Sequence, residues 1–512
     1  MKTLLFVDHA FHTSTASSRF FTDLLKRRFD VKIAYVDPPS NIAAETLSIA
    51  ASADVVVIWQ MDYLAPIFLS LGVPTVVVPM YDGSATMPDL HWACSAQAQY
   101  INFSFTLHHR IVGLGNRSFL ARYFPSPAPE DDRATFDEGL KAFLWQRRPE
   151  HGINAPAVLR LLEGQVSSLH VHNAPDVADL DMRPYKVTST SACEVTQTKW
   201  FPKAEDYRAA LGRANVFIAP RRAEGIGMAT LEAMARGMLI IAGDEPTQNE
   251  YIANWLNGIL YDPDAAQSIR IDKDTAEGMG LLAYETVRSG RQQWELQALE
   301  ILALVESGRP TEPVDIPDLV SFSDALSRAY YSGVRSYTAF MLNNADLMSR
   351  VAGRELRGCF DEAGQRLLPD HDARETATDK PWLEEGRVSL SPKQSDRYLT
   401  AGALEHAGRT AWLCGHCAEF QFRADPLTAA FSTLTIRLEL PAGLERQQLV
   451  ATLNNWTLGI VELNPADETV DFDLPLHVVE GSNTLRIQTA ALGEGAGVHG
   501  FVSLGLNEIR FL

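Results

Sequence analysis

From residue 1 to about 125, short apolar runs alternate with stretches of helical period: TLLFV, a helix over 17–29, VKIAYV, another helix, DVVVIW, PTVVVP and YINFSF. Runs that are apolar at nearly every position and bounded by turn residues predict strands buried on both faces of a parallel sheet. FPSPAPEDDR, residues 124–133, is rich in proline and acid and predicts a linker. A second alternating block follows, with KAFLWQ, a helix over 154–163, SSLHVHNAP, YKVTST, a helix over 205–213, NVFIAP, a helix from Met228, LIIAG and GILYDP. The pattern therefore predicts an α/β chain with two doubly wound, Rossmann-like domains, residues 1–130 and 131–310. Such sheets bind ligands beyond the carboxyl ends of their strands.

Residues 311–394 read as helical and polar, a linking region without visible chemistry. From residue 395 the texture changes to short alternating strands, among them LTIRLELP, QQLVATLNNW, TVDFDLP and NTLRIQTA, which predicts an all-β sandwich over 395–512.

Composition fits several domains. At 512 residues and 46% hydrophobic, the chain can bury more than one core. A formal net charge of −19 argues against a non-specific grip on nucleic acid, so an anionic ligand must be held locally. MKTLLFVDHAFHTS carries an apolar run too short for a signal peptide, and no stretch of about 18 apolar residues occurs, so a soluble, cytoplasmic protein is expected. Five scattered cysteines suit a reducing compartment. Cys414 and Cys417 form a CxxC, but the alternating AEFQFRADP that follows predicts a strand where thiol oxidoreductases need a helix start. Two neighbouring strand thiols are the expectation.

The richest chemistry lies in RRAEGIGMATLEAMARG, residues 221–237, where two glutamates stand eight positions apart around a glycine turn. NVFIAP predicts a strand ending at Pro220, and Leu231, Met234, Ala235 and Met238 form the buried stripe of the helix after it. Glu232 is off that stripe, and its side chain leans back toward the helix start, near the loop carrying Glu224. Unpaired N–H groups from Gly227 to Thr230 offer a phosphate seat, which Gly225 and Gly227 let a ligand approach closely. Carboxylates beside an anion seat must face neutral donors such as sugar hydroxyls. A diphosphate with hydroxyls on both sides is a nucleotide-sugar.

At these residues the chain resembles the retaining GT-B glycosyltransferases of the glycosyltransferase 4 type, whose motif is a Glu, seven residues, and a second Glu. FPKAEDYRAALGRANVFIAP, MLIIAGDEPTQNEYIANWLNGILYDP and the closing helix SGRQQWELQALEILALVE extend the resemblance over about 110 residues. It implies a GT-B fold of two facing Rossmann-like domains. It also implies Glu224 on the hydroxyls of the transferring sugar, Glu232 on ribose, the segment Gly225, Ile226, Gly227, Met228, Ala229 and Thr230 on the diphosphate, and Glu250 on the donor. Front-face attack by the acceptor hydroxyl needs no protein nucleophile and no metal. No cofactor is expected, and the partners are a nucleotide-sugar donor and a glycan or lipid-linked saccharide acceptor.

The chain departs from that pattern in its basic residues. Family members carry an Arg and a Lys after the first strand of the second domain; here LWQRRPEHG puts Gln146 and His151 at those places, leaving Arg147, Arg148, Arg221 and Arg222 to neutralise phosphate. In the first domain, Ser14, Thr15, Ser17 and Ser18 follow the first strand as sugar contacts or helix caps. Tyr81 and Asp82 in VVVPMYDGSA would face the ligand, with His91 in DLHWAC standing in for the family histidine as a catalytic group. The Asp-x-Asp triplets at 179–181, 262–264 and 471–473 lack the strand context of a metal-dependent nucleotide site. The resemblance points to bacterial surface polysaccharide or glycolipid assembly in the cytoplasm or at the inner membrane face, with a possible homo-oligomer through the sandwich. A GT-B scaffold without turnover is the alternative.

Overall fold

The computed structural model describes residues 1–37, 42–176, 180–201, 203–265, 268–367, 381–383, 385–401, 404–414, 417–424, 431–454, 456–474, 481–491, 493–494 and 501–512. The first six-stranded sheet comprises β1 (Lys2–His9), β2 (Phe29–Val36), β3 (Val55–Trp59), β4 (Thr75–Val78), β5 (Gln99–Asn102) and β6 (Arg117–Leu120), in the order β2-β1-β3-β4-β5-β6 and parallel throughout. β3 and β4 are buried at every position, as their unbroken apolar runs require, whereas the edge strand β2 exposes Asp30, Lys32, Ile33 and Tyr35.

The second sheet comprises β7 (Leu140–Trp145), β8 (Val166–His172), β9 (Glu194–Thr198), β10 (Val216–Ile218), β11 (Leu239–Gly243) and β12 (Ile259–Tyr261), ordered β12-β11-β10-β7-β8-β9 and also parallel. YKVTST is not one of its strands. EVTQT at 194–198 takes the edge instead, and Ser189 of the expected strand donates to and accepts from Val195 through its hydroxyl. A polar edge strand has one neighbour and no fully buried face, so its sequence carries little hydrophobic signal.

The chain divides into two compact units. One contains the first sheet together with the chain from Trp294 onward through the helices Leu319–Tyr331, Val334–Asn343 and Ala345–Ala352. These helices do not link domains: Leu326, Tyr337, Met341, Met348 and Val351 are buried in the same core as Val56, Tyr63 and Phe68. Tyr330 stacks on Tyr63 with centroids 4.2 Å apart.

The other unit contains the second sheet and the β-rich C-terminal region. FPSPAPEDDR is bound rather than free, since Phe124 is fully buried, its carbonyl accepts from Arg291, and the amides of Ala128 and Ala134 bond the carbonyls of Ala235 and Arg236. Gly290, inside the helix Lys273–Glu306, makes room for Phe124; a Cβ there would lie 2.5 Å from the ring. The C-terminal region is the expected sandwich of antiparallel sheets. Its first sheet orders Leu404–Ala407, Thr410–Leu413, Leu504–Phe511, Thr433–Glu439 and Thr469–Asp473, with Arg387–Val388 also paired to Leu504–Phe511. The second orders Leu399–Ala401, Cys417–Ala424, Gly481–Thr489, Gln447–Leu453 and Trp456–Leu463. Phe420, Ile436, Leu449, Leu485 and Ile509 share its core.

Trp412 is buried and offers no ring face to a ligand. Burial pushes the thiols of Cys414 and Cys417 up to about 12, which keeps both protonated at neutral pH. Among the described residues no helix is long and apolar enough to cross a membrane.

Candidate active site

Strand order fixes where ligands can meet this second sheet. β7 pairs with β8 on one side and β10 on the other, so the chain reverses its winding between β7 and β10, and the loops leaving their carboxyl ends diverge around a crevice. Those two loops carry Arg147 and Arg148 after β7, and Arg221, Arg222 and Glu224 after β10.

The β10 loop ends at Gly227, which caps the helix Met228–Met234 in the left-handed conformation, φ +79°, where only glycine sits without strain. No side chain caps this helix start. Leu231, Met234, Ala235 and Met238 are buried, as the stripe predicted, Ala233 is buried as well, and the Thr230 hydroxyl is buried without a hydrogen-bond partner among the described residues. Glu224 is only 8% exposed, and its backbone carbonyl accepts from the Thr247 hydroxyl at 3.2 Å.

Two arginines converge on Glu224. A terminal nitrogen of Arg221 lies 3.5 Å from one carboxylate oxygen and one of Arg147 lies 3.8 Å from the other. Asp176, after β8, binds the same pair, accepting from Arg147 Nε at 2.9 Å and facing Arg221 Nε at 3.9 Å. Arg147 also lies over the Trp145 ring, 5.0 Å from its centroid. The result is a square of two cations and two anions at the crevice, in which only the Arg147–Asp176 contact is at hydrogen-bond length and the other three are looser.

The remaining basic candidates point elsewhere. Arg148 faces Glu150 at 3.6 Å, and His151 presents its backbone carbonyl to Arg222 while its ring lies 3.9 Å from Glu150. Arg222 is tied to Asp264 by both terminal nitrogens. Gln146, where the family has arginine, is buried and structural: its amide donates to Asn173 and its carbonyl oxygen accepts the Ala155 amide that opens the next helix.

Glu232 keeps different company from Glu224. It is open to solvent, yet protein crowds it closely enough that desolvation raises its carboxyl above the usual range, with Arg208 pulling the other way. Tyr207, whose buried hydroxyl has no hydrogen-bond partner among the described residues, is within electrostatic reach of both Glu232 and Arg147. Sequence patterns gave no signal for Tyr207 or Asp176, because neither belongs to a spaced motif.

Three expected residues fall away or change meaning. His91 is 2% exposed in the first unit, with Nε2 2.7 Å from Asp62 and Nδ1 2.9 Å from the Tyr337 hydroxyl. Both ring nitrogens are used and the ring is buried, so His91 cannot meet an acceptor and leaves the catalytic set. Glu250 is 3% exposed in the short helix Gln248–Tyr251, which packs on the sandwich strand Cys417–Ala424 close enough for its charge to reach Cys417. It belongs to a domain contact, not an open donor surface. Asp82 stands in the first turn of the helix Tyr81–Ser84, after β4. Ser18 precedes the helix Arg19–Leu25 but spends its hydroxyl on Asp8, 2.6 Å away, instead of capping; Asp8 also takes His12 Nδ1 at 2.6 Å.

His172 closes β8 beside this crevice, stacked on Phe201 at 4.6 Å and bonded to the Thr198 hydroxyl. Desolvation, aided by His170, lowers its pKa to about 4. The fold therefore favours the neutral ring: its contribution is complete above the unfolded value of about 6.5 and is lost progressively as pH falls toward 4. The melting temperature is expected to drop across that window, and less steeply in His172→Phe; a parallel pH profile for the variant would refute this assignment.

Residues 186–273, which include Arg221, Glu224, Glu232 and Glu250, match the family of glycosyl transferases group 1. A glycosyltransferase group 1 domain thus covers the β10 loop and the helix after it. No curated protein matches the chain. Among solved structures the chain is similar to Anabaena HepE in complex with UDP and glucose, at 13% identity and TM-score 0.44 over 59% of this chain and 100% of that one. It is also similar to sucrose-phosphate synthase of Thermosynechococcus elongatus, at 15% identity and TM-score 0.45 over 59% and 98%. A glycosyltransferase from Rickettsia africae matches at 12% identity and TM-score 0.43 over 60% and 99%.

Proposed function

We propose that this protein is a retaining, metal-independent GT-B glycosyltransferase of the glycosyltransferase 4 type, moving a sugar from a nucleotide-sugar to a glycan or lipid-linked saccharide in bacterial surface polysaccharide assembly at the cytoplasmic side. The convergence of Arg147 and Arg221 on buried Glu224, at the winding reversal of a sheet whose strands β9 to β12 lie in the segment matching glycosyl transferases group 1, carries this reading. In it, the arginines and the amides after Gly227 hold the diphosphate, so its charge is met by fixed protein groups without a metal. Glu224 takes hydroxyls of the transferring sugar, and exposed Glu232 takes ribose. A homo-oligomer, if formed, uses surfaces other than the sandwich face described below.

The withdrawal of His91 favours one alternative, a sugar-nucleotide-binding scaffold without turnover. Release of nucleoside diphosphate from UDP-glucose, UDP-N-acetylglucosamine or GDP-mannose separates the two, since a scaffold binds a donor and releases nothing. Binding of none of the three would overturn both.

Within this reading, Glu232→Ala is expected to weaken nucleotide binding by ten- to a hundredfold, the loss of about 1.5–3 kcal/mol for a charged hydrogen bond, while kcat at saturating donor stays within a few fold. Calorimetric titration and steady-state kinetics read the two quantities separately. Unchanged affinity would remove Glu232 from the site.

A further inference from the structure

Among the strands that dock the β-sandwich onto the glycosyltransferase domain, Gly481–Thr489 supplies polar contacts. Alternation along this strand sends Leu485 and Ile487 into the sandwich core and Arg486 and Gln488 to the opposite face. There Arg486, largely buried, donates to Asp244 and, through two of its nitrogens at 2.7 and 3.2 Å, to one oxygen of Glu419. Two residues on, Gln488 donates to the Ile252 carbonyl at 3.0 Å and accepts from the Asn254 amide at 3.1 Å. Val450 of the neighbouring strand packs with Ala253 and Leu256. The strand thus grips both ends of residues 244–254, the segment that leaves β11.

What lies between the two grips touches the candidate donor loop. Asp244 accepts from the Asn249 side chain at 3.1 Å, and Thr247 donates to the Glu224 carbonyl at 3.2 Å. The bare Cα of Gly227 faces Thr247 and Gln248, which a Cβ there would meet at 4.0 and 3.9 Å. From Arg486 the connection runs to Asp244, along the chain from 244 to 247, and through the Thr247 hydroxyl to the loop that presents Glu224.

We propose that the sandwich is a positioning element for the donor loop, with Arg486 its positioning residue: by fixing Asp244 and the 244–254 segment, it holds Glu224 and the glycine turn in register. This rests on the glycosyltransferase reading only for its kinetic consequence. A sandwich that were merely a separable accessory would leave donor hydrolysis near normal when residues 395–512 are removed. The buried Arg486–Asp244 pair predicts otherwise, because removing one partner leaves the other charge uncompensated.

The full-length chain supplies the test. In Arg486→Met, hydrogen exchange is expected to speed up at least tenfold across residues 222–230 and 244–252, with the first sheet unchanged; Asp244→Asn gives a smaller effect at the same segments, and Arg486→Lys restores part of the protection. Arg446→Met, at an exposed pair with Glu462 elsewhere on the sandwich, changes neither segment. Per nucleotide-binding site counted by calorimetry, kcat for donor hydrolysis falls about tenfold while nucleotide Kd moves less than threefold; a merely structural defect lowers site count and activity together. Unchanged exchange at 222–230 in both Arg486→Met and Asp244→Asn overturns the proposal, as does a loss of activity that follows site count alone. If the wild-type chain binds no nucleotide, the glycosyltransferase reading fails while the exchange result still decides the positioning role.

Discussion

Glutamine at position 224 is expected to lower turnover of a nucleotide-sugar by two to three orders of magnitude while leaving nucleotide affinity equal or tighter. The substitution keeps the shape of a buried side chain and removes one negative charge that Arg147 and Arg221 now share. Both guanidiniums then face the incoming diphosphate less encumbered, so binding does not suffer. What is lost is a fixed negative charge at the transferring sugar, and loss of one preorganised electrostatic contact typically costs about 10²–10³ in rate. Opposite signs in kcat and affinity distinguish this from unfolding, which reduces both. Wild-type turnover in Glu224→Gln would sink the assignment.

Arg147→Ala is expected to weaken nucleoside diphosphate binding about a hundredfold, and Arg147→Lys to recover little of it. The Arg147 guanidinium uses its fork, with Nε on Asp176, a terminal nitrogen toward Glu224, and its plane over Trp145. A lysine ammonium cannot hold that geometry, and a hundredfold loss corresponds to about 2.7 kcal/mol, within the range for hydrogen bonds to charged groups. Arg148→Ala, by contrast, should shift affinity less than twofold, because Arg148 is turned to Glu150. Thus adjacent arginines that sequence could not rank are separated by a single titration. Equal losses at 147 and 148 would show that the loop after β7 adopts another arrangement when nucleotide binds.

These predictions depend on partners that no local pattern encodes. Apolar runs such as VVVIW and TVVV predicted the parallel strands directly, because a strand buried on both faces must be hydrophobic at every position. The polar edge strand EVTQT escaped notice for the complementary reason, having one exposed side and one neighbour. Glu224, Gly227 and Glu232 were legible because their spacing around a glycine turn is itself local. His91 was not: its burial is decided by Asp62 and Tyr337, 29 and 246 residues away.

Period, turn chemistry and charge spacing are properties of neighbouring residues, and from them the two doubly wound sheets, the glycine turn with its flanking glutamates and the β-sandwich could be read. Which arginines reach Glu224, the completion of the first core by the helices from Leu319, the buried contact of Glu250, and the reach of Arg486 to Asp244 across 242 positions of chain emerge from the three-dimensional arrangement. Ion pairs and packing are set by where strands lie in space, and strand order in a parallel sheet is not sequence order.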